Sequence, residues 1–158
     1  MLLISWDCQK KLICLELETA DGDPYCRLTV SFGEFVGMYG ALFVDVDNVP
    51  NAESFLVDNQ IAFPTGAFKA SGYVTYPCYQ ISPYAMEALF TTDEIFEYHL
   101  DYDFYNDMQG ILEEETRNVL NNNKEVTKEE AVKIAKANYV KDFLQKEKES
   151  FDNYLKDR

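Results

Sequence analysis

The chain has 158 residues, with 28 Asp and Glu against 14 Lys and Arg for a net charge of −14, and 47% of its residues are hydrophobic. That apolar content can bury a core against chain entropy, which excludes wholesale disorder, and the length fits a single domain spanning residues 1–158. No apolar run approaches the roughly 18 residues needed to cross a bilayer, and residues 1–6 lack the basic start and the length of a signal peptide, so a cytoplasmic protein with no membrane partner is expected.

Residues 2–6 and 12–17 are short runs rich in strand formers, and residues 27–32 alternate Leu28, Val30 and Phe32 with Arg27, Thr29 and Ser31. Three strands are predicted here, the second and third joined as a hairpin by Ala20, Asp21, Gly22, Asp23 and Pro24. A stretch punctuated by Gly33, Gly37 and Gly40 leads to a fourth strand at residues 41–46. After Pro50, residues 51–59 place Ala52, Phe55 and Leu56 on one face of a short helix. Pro64, Thr65 and Gly66 read as a turn, and the Tyr-rich residues 72–81 as a strand.

Residues 1–81 are thus mainly strand with one short helix, and residues 82–158 mainly helical. Ser82 is a candidate N-cap with Pro83 at the first helical position, Thr92 a second cap, and a break is expected near Gly110. Asn121, Asn122 and Asn123 mark a loop. Thr127 and Glu130 form a capping-box pattern that opens a long helix, with Val132, Ala135, Tyr139, Phe143 and Phe151 near one stripe. Strands first and helices later predict an α+β fold, an N-terminal antiparallel sheet packed with C-terminal helices.

Motifs for chemistry are sparse. His99 is the single histidine and has no Ser or Cys in a nucleophile motif nearby, so a helix-surface role is expected for it. Asp45 and Asp47 on one side of a strand, with Asn48, offer hard oxygen ligands, but no calcium-binding loop follows. Pro64, Thr65 and Gly66 lack the second glycine and lysine of a phosphate loop. Cys8, Cys14, Cys26 and Cys78 match neither a zinc site nor a dense disulfide framework, which predicts reduced thiols. The expectation is a non-enzymatic chain with no catalytic residues, metal or cofactor.

The charge distribution is more informative. Residues 1–120 hold 20 acidic and 5 basic side chains, while residues 121–158 hold 8 and 9. Between Lys69 and Arg117 there is no Lys or Arg, so the field there repels nucleic acid and attracts basic surfaces. On a helix, Asp93, Glu94, Glu97 and Asp101 would form one anionic ridge, continued by Asp103, Asp107, Glu113, Glu114 and Glu115. Tyr98 and Tyr102, with Phe104 and Tyr105, interleave with it as candidate aromatic anchors for a partner's pockets. The same residues also suit a plain solvated face. A second aromatic series, Tyr73, Tyr76, Tyr79 and Tyr84, fits packing or a protein-contact patch better than base stacking, since only Lys69 lies near it.

Residues 43–79 resemble a domain-of-unknown-function family of bacterial conjugative and other mobile elements. The residues that carry the resemblance are Phe43, Val44 and Asp45, then Asn48, Pro50, Ala52, Glu53 and Phe55, then Asn59, Ile61, Pro64, Thr65 and Gly66, and finally Ser71, Gly72, Tyr73, Thr75, Tyr76, Pro77 and Tyr79. Asp47 departs from the neutral polar residue usual there. The resemblance implies a mobile element in a bacterial cytoplasm and no particular chemistry. With the acidity, it leads to the expectation of an anti-defence inhibitor, anti-CRISPR or anti-restriction, that occupies a basic surface of a host nuclease, restriction enzyme or CRISPR effector as a DNA mimic and binds no nucleic acid directly. The other reading is a maintenance or conjugation accessory protein that binds another protein without mimicry.

Overall fold

A computed structural model describes residues 2–7, 12–32, 40–102 and 107–157. Among these the chain forms seven strands and five helices in an α+β arrangement, and it separates into two compact units, Met1–Leu89 and Phe90–Arg158. Gly33 and Gly37 lie outside the described residues.

In the first unit β1 (Leu2–Asp7) and β2 (Leu12–Glu18) pair antiparallel, and β3 (Pro24–Arg27) returns beside β2. The expected turn closes this hairpin, with Gly22 at φ +88° and the Thr19 hydroxyl accepting from the Asp23 amide. Residues 27–32 are not one strand, however. The Leu28 amide donates to the Leu15 carbonyl while the Leu28 carbonyl accepts from the Asp45 amide, so the chain passes from one sheet into another at this residue. Two antiparallel sheets result, β1-β2-β3 and β4-β5-β7-β6, with β4 at Thr29–Val30.

All four residues of β5 (Ala41–Val44) are buried, because both sheet faces are covered there. Phe43 and Cys78 belong to one face and pack with Phe32 and Tyr76. Leu42 pairs with Tyr79 on the other, and the Tyr79 hydroxyl donates to Glu53 of α1 (Ala52–Asp58) at 2.9 Å. Ala52 and Leu56 are the buried residues of α1, as its spacing predicts.

β6 (Ala62–Ser71) and β7 (Val74–Ile81) form a hairpin. Gly72, at φ +61° in its two-residue loop, supplies the left-handed conformation such a connection needs. Pro64, Thr65 and Gly66 do not end a unit as a turn. They form a bulge inside β6, where the pairing slips between Pro64 and Phe68, Gly66 takes φ +85°, and the Thr65 hydroxyl donates to the Cys78 carbonyl. The expected cap of α2 (Pro83–Leu89) is present: the Ser82 hydroxyl accepts from the Ala85 amide and donates to the Gln60 carbonyl.

The second unit contains α3 (Thr92–Tyr102), α4 (Met108–Asn122) and α5 (Lys128–Lys156), with α5 packed against both others. The capping box at Thr127 and Glu130 is complete. The deepest residues of α5 are Ala131, Ala135, Val140 and Leu144, while Val132, Tyr139, Phe143 and Phe151 are half-buried. Two partner helices widen the buried stripe beyond the single row the spacing suggests. The break falls before Met108 rather than at Gly110, which lies in the first turn of α4, where a Cβ would collide with the Asp107 carboxylate.

Truncating Leu144, which is buried, should cost about 2 to 5 kcal/mol, and Phe143→Ala should also lower the melting temperature; an unchanged melt for both would mean that α5 is not packed. Burial pushes the Glu147 carboxyl above its ordinary value. Its folded state therefore holds a proton more tightly, so the stability it contributes is full below the ordinary Glu range and is lost as pH rises through the raised folded value. Glu147→Gln should raise the melting temperature at neutral pH and show no gain in acid, as read by melts across that range.

Candidate functional site

The expected acidic ridge starts at the cap of α3. Thr91, not Thr92, caps α3. The Thr91 hydroxyl accepts from the Glu94 amide at 3.2 Å, and the Glu94 carboxylate accepts from the Thr91 amide at 2.7 Å and from its hydroxyl at 2.9 Å. Both threonines could serve, but only Thr91 has a Glu three residues on, and that capping-box spacing is the signal in the sequence. Glu94 is thus held at the positive end of the helix dipole.

Asp93 and Glu97 share one cation. The Lys136 ammonium of α5 lies 3.7 Å from Asp93 and 3.6 Å from Glu97, and 5.3 Å above the Phe96 ring. Its side chain is only 20% exposed, whereas the two carboxylates are 73% and 51% exposed. Part of the ridge is therefore neutralised within the unit by a lysine 39 or more residues away in sequence. Asp107 caps α4, its carboxylate accepting from the Gly110 amide at 2.9 Å. Glu113 and Glu114 are exposed on α4, and Glu115 is half-buried.

Tyr98, expected as a partner anchor, is buried at 3% exposure and does not present its ring to solvent. Asp101 and Tyr102 belong to the last turn of α3, and Asp103, Phe104 and Tyr105 lie outside the described residues. The structure thus brings Asp93, Glu94 and Glu97 together at the start of α3 and places Glu113 and Glu114 on a separate helix.

His99 is half-buried in a helix seam rather than standing on an open helix surface. Its ring lies 4.0 Å from Phe143 and 5.7 Å from Tyr139, both on α5, and its Nδ1 is 3.2 Å from the Tyr139 hydroxyl. Aromatic packing across the α3–α5 seam accounts for its position, as it does for the edge-to-face pair of Phe96 and Tyr139. Asp45 and Asp47 are not on a strand either: β5 ends at Val44, and Asp45 organises the following turn by accepting from the Asn48 amide and side chain.

The second aromatic series does not form one patch. Tyr76 and Tyr79 point to opposite faces of β7, Tyr79 is buried, and Tyr73 stands fully exposed at the hairpin tip. Burial, then the negative charges of Asp47 and Asp45, hold the Tyr76 phenol above its ordinary value. Cys14 and Cys78 are buried free thiols and Cys26 is a half-buried one; Cys8 lies outside the described residues. The Arg27 guanidinium donates to the Cys14 sulfur at 2.7 Å and to the Ser31 hydroxyl at 3.0 Å.

Replacing Lys136 with Met keeps the apolar stem over Phe96 and removes the shared cation. The expected loss is at most about 1 kcal/mol, since exposed ion pairs are weak. It should shrink in high salt as screening reduces the repulsion between Asp93 and Glu97. Thermal melts at low and high salt read this directly, and an equal loss in both would assign the effect to packing.

No family model matches the chain, and neither a curated protein nor a solved structure matches it.

Proposed function

We propose that this chain is a non-enzymatic binding protein of a bacterial mobile element that occupies a basic surface on another protein. The reading includes an anti-defence role, in which it inhibits a host nucleic-acid-binding effector of the CRISPR or restriction type inside the cytoplasm. The observation that carries it is the absence of any Lys or Arg between Lys69 and Arg117, a stretch that holds ten carboxylates. Such a field attracts cationic grooves and raises association rates. Among the described residues, no helix is long and apolar enough to cross a membrane.

The local geometry changes which carboxylates suit this role. Glu94 and Asp107 hold helix starts, and Asp93 and Glu97 share Lys136, which leaves Glu113 and Glu114 on α4 as the exposed ridge acids that take neither role. Gln at position 94 retains an oxygen that can accept from the Thr91 amide. Charge can therefore be removed there without removing the cap.

The test is capture of the partner from the native host, followed by competition with DNA. Replacing Glu94, Glu97, Glu113 and Glu114 with Gln should leave the circular dichroism unchanged, slow association, and weaken binding more at low salt than at high salt. DNA should displace the unaltered protein from a nucleic-acid-binding effector. Undiminished inhibition by the neutralised variant, or simultaneous binding of DNA and this protein at the effector's DNA site, would reject the reading.

A further inference from the structure

The hairpin of β6 and β7 differs from the rest of this acidic chain. Residues 59–86 contain no Asp or Glu, although 28 of 158 residues are acidic overall, and Lys69 is their single charge. β6 is the edge of its sheet, with no described strand beyond it. Residues 66–68 and 70–73 are exposed, Phe68 at 69% and Tyr73 at 109%. A strand edge presents backbone donors and acceptors to pairing, and charged side chains, Pro and bulges are the usual protections; here Pro64 and the bulge precede Phe68, and the Ala67 amide donates to the Thr65 hydroxyl, which leaves residues 68–71 as the regular edge.

The side chains divide by face. Phe68 pairs with Pro77 and Ala70 with Thr75 on one face, and Lys69 pairs with Tyr76 on the other. The Lys69 ammonium lies 5.2 Å over the Phe32 ring, so the one charge of the hairpin is directed to the face opposite Phe68. Asp45 and Asp47 act on Tyr76, and hence also toward the Lys69 face. What remains at the edge is a neutral surface made of Gly66, Ala67, Phe68 and Ala70, with Tyr73 at the tip.

We propose that a second copy of this chain occupies this edge, the β6 strands of two copies pairing antiparallel about a two-fold axis within residues 68–71. The choice of occupant follows from charge. Two chains of net charge −14 repel over most approaches, and the acid-free hairpin is where they can meet without setting carboxylate against carboxylate. An isologous contact also needs a self-complementary surface, which a neutral strand edge supplies. Because side chains alternate with period two, a two-fold axis through Phe68 or Ala70 keeps Lys69 from facing its own symmetry mate, whereas an axis through Lys69 does not.

The test is sedimentation equilibrium of the full chain from low micromolar to near-millimolar concentration, at low and high salt. The expected result is a reversible dimer that tightens as salt rises, since screening weakens the repulsion between the bodies. This salt dependence is opposite in sign to that expected for binding a basic partner. Phe68→Asp should raise the dimer dissociation constant about tenfold or more, with an unchanged circular dichroism spectrum because the ring is exposed. Should that variant fail to fold, Tyr73→Asp at the fully exposed tip gives a second reading, with the same expected direction. A monomer at every concentration and salt would overturn the proposal, as would a dimer unaffected by both changes. A dimer that dissociates with added salt, or binding of an oligothymidine that these changes abolish, would overturn it by assigning the hairpin another occupant.

Discussion

Carboxylates outnumber cations two to one in this chain, and mutual repulsion is the constraint that the rest of the structure accommodates. At like-charge separations of a few ångströms the cost is modest in water but adds up over many pairs. The chain meets it by tying individual acids to donors. Glu94, Asp107 and Glu130 each accept from backbone amides at a helix start, where the unpaired N–H groups and the dipole favour negative charge. Asp45 does the same in a turn, and Glu53 accepts from Tyr79.

Lys136 shows the same constraint in the tertiary structure. One ammonium, mostly withdrawn from solvent over Phe96, faces two carboxylates of α3. The pairing adds little by itself, but it allows α3 and α5 to pack along an aromatic seam of Phe96, His99, Tyr139 and Phe143 without a bare anionic edge at its end. Local charge balance and apolar packing therefore support the same helix arrangement.

The packing thus divides acids that look equivalent in sequence. Those at helix starts and beside Lys136 are engaged within the fold, whereas Glu113 and Glu114 are exposed on α4 and, under the proposed function, are the ones a partner would neutralise. The acid-free hairpin of the other unit offers a surface with the opposite preference, for neutral neighbours. The two proposed contacts would respond to salt in opposite senses, so a single ionic-strength series would distinguish one from the other.

Much of the local structure was legible because it depends on neighbours in sequence. The capping box at Thr127 and Glu130, Ser82 and Pro83 opening α2, the turn at Gly22 and the buried face of α1 all follow from spacings of a few residues. What spacing cannot carry is which distant chain a residue meets. The passage between sheets at Leu28 is decided by Leu15 and Asp45, the bulge at Gly66 by the carbonyl of Cys78 behind it, and the seat of His99 by aromatics some forty residues on. The anionic ridge shows the same limit. Helical periodicity places Asp93 and Glu97 on one face correctly, but only the packing of α5 brings Lys136 to them, and Tyr98 on the same helix is buried, because charge pairing and burial depend on through-space distance, which sequence separation does not encode.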